Sequence, residues 1–369
     1  MVPDYEMEEF NLKIDNVVAV VPCFKLVLYL DSTDDAGVSE FYQRSMDALG
    51  GLIGFYQAEN MKTRVRLNER ALTIVPTWLK RPREDKSYYV QFSGCSAEQG
   101  ASAAMIELEL NRRPAQFFTP EQEAVRRAKR KVLYEDMGCI FSPLATALRV
   151  TFPLDHKLAD PDKLLAWVMD LSLVKEWPFL SGHCGYNLNH FEEVGSRIIR
   201  EAMQSRLGSL CLRYPGFDWN STGGVLAHLL RYDSATSDLI PNIKRVNWLT
   251  LVSHKAVEYL GGVSRLLNGL GQDLPIVSHP VSGGFVIQAG PAPQTGDIGP
   301  GTLYRYTAVW LKSYVRSDWK LFRVLAAGFP MTPLSSGWRR SIKISIECRT
   351  DQWITTTSSN SASSMPPIR

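Results

Sequence analysis

Two histidines and a cysteine lie close together near the middle of the chain, at His183, Cys184 and His190. Imidazole nitrogen and thiolate sulfur are ligands that zinc prefers in proteins. The surrounding letters, GHCGYNLN, are typical of a β-strand, in which residues an odd number apart point to opposite faces. Because the two histidines are separated in this way and a fourth ligand is missing, the pattern favours ordinary polar packing, and we predict no metal and no cofactor.

Catalytic motifs with a fixed spacing do not occur in this sequence. It contains no HExxH, GxSxG or GxxxxGK[ST]. No nucleophile is paired with a base at a recognisable spacing, although a triad assembled in space leaves no such trace. We therefore predict no catalytic residue, and an active site built from scattered residues stays open as an alternative.

Two further segments have compositions that invite a functional interpretation. The glycine-rich letters QAGPAPQTGDIGPG, residues 288–301, lack the GxGxxG order, so they indicate a structural turn between a strand and a helix. The basic run RRAKRK, residues 126–131, has no aromatic partners and no reading motif for nucleic acid. It is typical of a solvated helix face, with a nucleic-acid patch as the alternative. The helix itself is predicted over 119–138, with Thr119 as its N-cap.

The first half of the chain indicates alternating strands and helices. Residues 1–16 are expected to form a flexible lead-in. Pro22 is expected to divide the apolar run VVAVVPCFKLVLYLD, which leaves FKLVLYL as a strand. A helix over Val38–Leu49 and the strand GLIGFYQ follow. Further on, MIELEL alternates apolar and acidic residues, which predicts a half-exposed strand.

A similar order returns later in the chain. LRVTFPLD is a strand, Lys163–Leu173 a helix with Asp160 as N-cap and Pro161 at its first position, and GHCGYNLN a strand. This repetition indicates either an internal duplication of a βαβ-like unit or an order that any chain of this class contains by chance. Residues 231–241 are expected to be a loop.

The segment from Lys244 to Tyr314 has the clearest pattern. VNWLTLV is a strand, and the apolar spacing over His254–Leu270 is helical. Gly261 and Gly262 interrupt that helix, so two short helices or one kinked helix are expected. GGFVIQAG is a further strand, and LYRYTAVWLKSYV is an amphipathic helix.

Bulk composition is that of a globular protein. The chain has 369 residues, of which 45% are hydrophobic and 21% charged, with a net charge of +3 that is too small to indicate a nucleic-acid binder. The six scattered cysteines are expected to be reduced, the N-terminus does not resemble a signal peptide, and no apolar run has the ~18 residues of a membrane span.

We expect a cytoplasmic α+β protein with mixed or antiparallel sheets and packed helices. Residues 17–340 would form one domain, with sub-halves 17–140 and 141–340, and the Ser/Thr-rich residues 354–369 a disordered tail.

The chain resembles the TsiV family of bacterial type VI secretion immunity proteins. The resemblance rests on VNWLT, LGG, GFVIQAGPAPQTGD and LYRYTAVWLK, and on the earlier FKLVLYLD, LRVTFPLD, GHCGYNLN and RYPGFD, in this order. It covers roughly residues 20 to 325, and its positions are ones that define a fold, with no active site among them. They are Trp248, Gly261, Gly262, Gly290, Gly296 and Asp297.

The resemblance implies an immunity protein of bacterial competition, without enzymatic activity. Such a protein would neutralise a cognate effector toxin, a nuclease by the precedent of this family, by covering its active site or substrate groove in a stoichiometric complex. Because a nuclease surface is basic where it holds phosphates, the inhibitor surface that faces it should be locally acidic. The acidic candidates, each of which also suits a solvated turn or helix start, are Asp31, Asp34, Asp35, Glu192, Glu193, Asp233 and Asp238. An enzyme and a nucleic-acid-binding module are the rival classes.

Overall fold

The computed structural model describes most of the first 295 residues of the chain. The described residues are 10, 12–14, 17–30, 35–59, 61–82, 87–94, 100–111, 125, 128, 146–190, 207, 210–211, 214, 216–219, 230–233, 238–241, 243, 246–269 and 274–295. By its contacts the chain divides into two units, Met1–Phe329 and Pro330–Arg369. All described residues belong to the first unit.

The described strands form one twelve-stranded sheet and a separate two-stranded hairpin. They are β1 (Leu12–Ile14), β2 (Val17–Leu30), β3 (Phe55–Ala58), β4 (Val65–Arg66), β5 (Ser87–Ser93), β6 (Met105–Asn111), β7 (Thr146–Phe152), β8 (Ser181–His190), β9 (Asp218–Trp219), β10 (Leu230–Asp233), β11 (Asp238–Pro241), β12 (Leu249–Ser253), β13 (Ile276–Val281) and β14 (Gly284–Ala289).

The order of strands in the sheet is β13-β14-β12-β8-β2-β7-β6-β5-β3-β4, with β1 beside β2 and β9 beside β8. Every pair is antiparallel except β8 and β9, which are parallel. The hairpin consists of β10 and β11. The predicted α+β class with antiparallel pairing is therefore confirmed.

Seven described α-helices accompany the sheet. They are α1 (Asp35–Leu49), α2 (Glu69–Leu72), α3 (Ile74–Lys80), α4 (Pro161–Met169), α5 (Ser172–Lys175), α6 (His254–Tyr259) and α7 (Val263–Gly269), and a 3₁₀ turn, Gly50–Leu52, follows α1. Helix α1 packs on β6 and β7, whereas α6 packs on β12 and β14. None of the described helices is long and apolar enough to cross a membrane.

Strand β2 lies at the centre of the sheet and continues through Pro22. The expectation that Pro22 divides this run is wrong. Along one edge, residues up to Val20 pair with β1 and residues from Phe24 pair with β7, so Pro22 falls between the two partners. Because no neighbouring strand needs its N–H there, the missing donor breaks no ladder.

The two faces of the sheet differ in chemistry. On one face Phe24, Leu26 and Leu28 of β2 lie in the hydrophobic core, each 5% exposed or less. Helix side chains cover this face, and the Trp167 ring of α4 packs edge-on against Phe152 of β7 with ring centroids 5.4 Å apart. Each fully buried leucine or phenylalanine contributes about 1.5–3 kcal/mol by leaving water. The opposite face carries charged side chains, which are described below.

The predicted repetition is present in the order of elements. The first unit is β2, α1 and β3, and the second is β7, α4 and β8. Since antiparallel neighbours alternate in direction, both pairs of strands are parallel within their unit. The two units differ in how far apart their strands lie in the sheet. Three strands separate β2 from β3, whereas only β2 separates β7 from β8.

Local signals for helix ends are confirmed at two places. The Asp160 Oδ1 accepts a hydrogen bond from the Lys163 N–H at 3.0 Å, and Pro161 begins α4. Two short helices flank Gly261 and Gly262, whose φ angles of 101° and 90° are in the region that favours glycine.

The segment predicted as a loop over 231–241 contains the β10–β11 hairpin instead. Of the helix predicted over 119–138 the structure describes Val125 and Ala128, both helical, and the helix predicted at LYRYTAVWLKSYV lies outside the described residues.

The absence of a side chain at Gly185 is required by the packing of β8. A methyl group at this position would collide with the carboxamide of Asn247. That carboxamide accepts a hydrogen bond from the Trp248 N–H at 2.8 Å and donates one to the Tyr186 carbonyl at 3.4 Å, so its position is fixed.

We expect Gly185→Ala to lower the free energy of unfolding by about 1–3 kcal/mol, as overpacking does. Urea unfolding measures this change. The control is Gly51→Ala, because a methyl group there meets no atom within 4 Å. The control should stay within about 0.5 kcal/mol of the parent protein. Equal stability of the two variants would contradict the packing described for β8.

Candidate functional site

The second face of the sheet holds a buried triad of Lys25, His183 and Asp218. The Lys25 ammonium lies 2.7 Å from the Asp218 Oδ2, and the His183 Nε2 lies 2.8 Å from the same oxygen. The three residues are only 2%, 1% and 3% exposed. Both partners donate to the carboxylate, so His183 carries a hydrogen on Nε2.

Strand pairing explains why these three residues meet. Lys25 of β2 stands opposite Gly185 of β8, and Asn187 of β8 stands opposite Asp218 of β9. The lysine and the aspartate therefore approach each other from the two edges of β8. A buried ammonium needs an opposite charge, because its desolvation costs several kcal/mol.

A second buried cluster surrounds Arg149 of β7. Its guanidinium donates to the Glu107 carboxylate of β6, which is directly opposite in the sheet. Burial opposes the charge of Arg149, but Glu107, Tyr29 and Glu109 outweigh it and raise the arginine pKa above its usual range. Burial and the neighbouring Glu107 raise the pKa of Glu109. Burial also raises the pKa of Tyr29, whose phenol therefore stays protonated.

This second cluster corrects one expectation from the sequence. MIELEL was predicted as a half-exposed strand, but Glu107 is 5% exposed. The acidic side of β6 is buried because Arg149 supplies a compensating charge on the neighbouring strand. The isoleucine and leucines of β6 lie in the hydrophobic core, and Glu107 lies on the charged face. The alternation of apolar and acidic residues therefore separates two buried faces of the sheet.

The chemistry available to the triad is limited by its burial. A histidine paired with an aspartate is the orienting half of a nucleophilic triad. Here the Nε2 of His183 is occupied by Asp218, and neither residue reaches solvent. The nearby Cys23 is fully buried, and burial raises the pKa of its thiol to about 11, so it is no nucleophile at neutral pH. The triad acts as a support for the sheet.

The histidines considered as metal ligands lie on opposite faces of β8, as predicted. His183 stands opposite Val27 on the charged face, whereas His190 stands opposite Val20 on the apolar face. Cys184 is on the apolar face too, and burial raises its thiol pKa. No group of three potential ligands is present in the part of the chain that the structure describes.

The predicted acidic contacts are only partly within the described residues. Asp35 begins α1, where a carboxylate is favourable to the helix dipole. Asp233 and Asp238 stand directly opposite each other in the β10–β11 pair. The residues that fall outside the described part of the chain are Asp31, Asp34, Glu192 and Glu193.

Among the predicted fold-defining residues, Trp248 forms a buried hydrogen bond. Trp248 is fully buried, and its indole N–H donates to the Gly290 carbonyl at 3.0 Å. This bond ties the residue before β12 to the end of β14. Gly261 and Gly262 separate α6 from α7. Gly296 and Asp297 lie outside the described residues.

Sequence reasoning missed Lys25, Arg149 and Asp218. The first two had a readable signal, because each is a lone cation within an apolar strand, in FKLVLYL and LRVTF. A cation in such a run needs a buried anion. Nothing near Asp218 in the sequence distinguishes it as that anion, because it lies 193 positions from Lys25.

Comparison with known proteins finds a matching family and a similar fold. Residues 141–316 match the model of the TsiV family, described as type VI immunity for VRR-NUC, which confirms the resemblance over this part of the chain. The fold is similar to that of the Pseudomonas aeruginosa T6SS protein PA0821, with a TM-score of 0.56 and 17% identity, covering 82% of this chain and 77% of that chain. At this identity the likeness concerns the fold alone. The chain matches none of the curated proteins.

Replacement of Arg149 tests whether the second cluster supports the fold. Arg149→Met removes the cation that compensates two carboxylates, one of them 5% exposed. We expect the free energy of unfolding to fall by about 3–5 kcal/mol, the cost of leaving a buried charge uncompensated.

The matched control for this prediction is Arg44→Met. Arg44 also pairs with two carboxylates, but its side chain is 26% exposed and one partner is 69% exposed. Exposed pairs contribute about 0–1 kcal/mol, so the control should lose clearly less stability than Arg149→Met, although Arg44→Met also removes the bond to the Asp170 carbonyl and the contact with the Trp167 ring. Denaturant unfolding of both variants measures the difference. A loss at Arg149 no larger than that at Arg44 would show that the charged face is not a structural support.

Proposed function

We propose that this protein is an immunity protein that binds and neutralises a cognate type VI effector of the VRR-NUC nuclease type. The observation that carries the proposal is the TsiV match over residues 141–316. The matched region contains strands β7 to β14, and thus most of one half of the sheet. The protein would act in the cytoplasm, where an injected nuclease meets its substrate, and it would act by binding rather than by catalysis.

The mode of inhibition that we propose is occlusion in a one-to-one complex. An inhibitor of this kind covers the active site or the substrate groove of the toxin. Its affinity comes from a few buried anchor residues, and complementary charge increases the association rate. The charged groups of the sheet's second face are already paired with one another. Recognition therefore falls to residues at the periphery of the sheet.

Among the acidic candidates, the β10–β11 hairpin has the best support. Its register puts Asp233 opposite Asp238, and like charges directly opposite each other destabilise a strand pair. A lysine or arginine of a basic toxin surface would suit two aspartates that the register brings to opposite positions. Asp35, in contrast, has a sufficient structural role at the start of α1. Asp31, Asp34, Glu192 and Glu193 remain proposed contributors to the same acidic character.

Co-expression with the product of the adjacent gene tests the proposed function. Production of a VRR-NUC-type effector alone should stop bacterial growth and degrade DNA. Production together with this protein should restore growth, and the two proteins should co-purify at equal molar amounts. A variant effector without nuclease activity should co-purify as well, because binding needs no catalysis. Unrelieved toxicity would refute the proposal.

Neutralising the hairpin aspartates should slow formation of the complex. We expect Asp233→Asn/Asp238→Asn to lower the association rate constant about tenfold and to reduce its dependence on salt, as loss of complementary charge does. Surface plasmon resonance at several ionic strengths measures both effects.

The control for the hairpin variant is Asp155→Asn/Glu59→Gln, which removes two exposed carboxylates elsewhere. This variant should associate at the rate of the parent protein. If both double variants behave alike, the hairpin has no special part in recognition.

A further inference from the structure

An open groove lies between the helical layer and the β13–β14 turn. Its volume is about 990 Å³, at the upper end of the range of small-molecule sites. Residues of α1, α4 and α5 line one side, and the end of β13 lines the other. The side chains that define its chemistry are Arg44, Lys163, Trp167, Asp170, Lys175 and Val281.

The inner surface of the groove is apolar and held in place. Trp167 is only 9% exposed, and its ring packs edge-on against Phe152. The Arg44 guanidinium lies over the indole, 5.7 Å from the ring centroid. Tryptophan and arginine are among the residues that are enriched at the energetic centres of protein interfaces.

Hydrogen bonds fix both walls of the groove. Arg44 joins α1 to the end of α4, because its Nη1 donates to the Asp170 carbonyl at 2.9 Å. On the other side, the Ser282 N–H donates to the Lys175 carbonyl at 3.3 Å. A side chain at Gly283 would collide with the Trp177 carbonyl, so glycine permits this close approach of the turn. The groove is thus formed before a partner arrives, which reduces the entropy lost on binding.

The rim of the groove carries an excess of positive charge. Arg44 is already paired with Glu40 and Asp170. Lys163 and Lys175 are both exposed, and neither forms an ion pair within the described part of the chain. Two unshared ammonium groups beside an apolar surface suit a ligand that has carboxylates next to a bulky apolar side chain.

We infer that this groove receives an acidic segment of the effector nuclease, with an apolar side chain against Trp167 and carboxylates at Lys163 and Lys175. The inference rests on the proposed function and adds a second contact of opposite polarity to the acidic hairpin. A toxin that presents both a basic and an acidic surface would bind in one orientation. In the reverse orientation its acidic surface would face the acidic hairpin and its basic surface would face the basic groove, and both pairs would repel each other.

The neighbouring Trp177 extends this docking surface. Its side chain is 42% exposed, although an aromatic residue of this size is mostly buried in a monomer. It follows Lys175 by two positions in the segment that the β13–β14 turn contacts. Trp177 would therefore lie at the rim of the complex and become covered on binding.

Charge reversal in the groove tests the inference with the nuclease-inactive effector as the probe. We expect Lys163→Glu/Lys175→Glu to raise the dissociation constant at least about tenfold, as loss of an interface anchor does. Ala166→Glu, which adds a carboxylate to the groove at an exposed helical position and leaves both lysines in place, should weaken binding too. Isothermal titration calorimetry measures the constants, and thermal unfolding checks that the variants are folded.

The control is Lys80→Glu/Lys255→Glu, which reverses two exposed lysines outside the groove. It should bind with the affinity of the parent protein. If the parent protein binds the effector and the groove variants bind as tightly as this control, the groove inference is overturned while the proposed function stands. If the parent protein does not bind the effector at all, the proposed function itself fails, and the groove inference with it.

Discussion

The burial of Lys25 in the central strand constrains the rest of this structure. The side chain is 2% exposed, and the carboxylate that neutralises it belongs to Asp218, 193 positions away. This ion pair crosses β8 and draws β9 against the sheet. A lysine at this depth without its aspartate would cost several kcal/mol, so strands from distant parts of the chain must assemble together. Arg149 and Glu107 impose the same requirement on β7 and β6.

The central place of β2 also bears on the matched family region. Residues 141–316 include β7 and β8, but β2 lies between these two strands in the sheet. A chain that began at residue 141 would leave a gap in the middle of its sheet and would leave Asp218 without Lys25. The sub-halves expected from the sequence divide the chain at residue 140, whereas the strands on either side of that point are interleaved in the sheet. We therefore expect the matched region to need residues that precede it in order to complete its sheet.

The sequence was most informative where local chemistry decides the outcome. The Asp160 cap, the glycines after α6 and the strand segments around β7, β8 and β14 were all predicted correctly, because caps, φ angles and apolar runs are local properties.

The errors concern partners that are distant in sequence. Whether Pro22 breaks a strand depends on which strands flank it, and whether Glu107 is exposed depends on Arg149. The acidic patches were inferred from composition and loops, and only the register of β10 with β11 distinguishes Asp233 and Asp238 from the others. The basic groove was missed because α1, α4 and β13 meet only in the folded chain.

Titration of nuclease activity with this protein tests most directly whether it is a stoichiometric inhibitor. The effector's cleavage of DNA would be followed at a fixed effector concentration well above the dissociation constant, while increasing amounts of the protein are added. We expect a linear decrease in activity that ends close to zero at one molar equivalent, since each bound inhibitor would cover one active site or substrate groove. Activity that is unchanged by a large molar excess of the folded protein would contradict it.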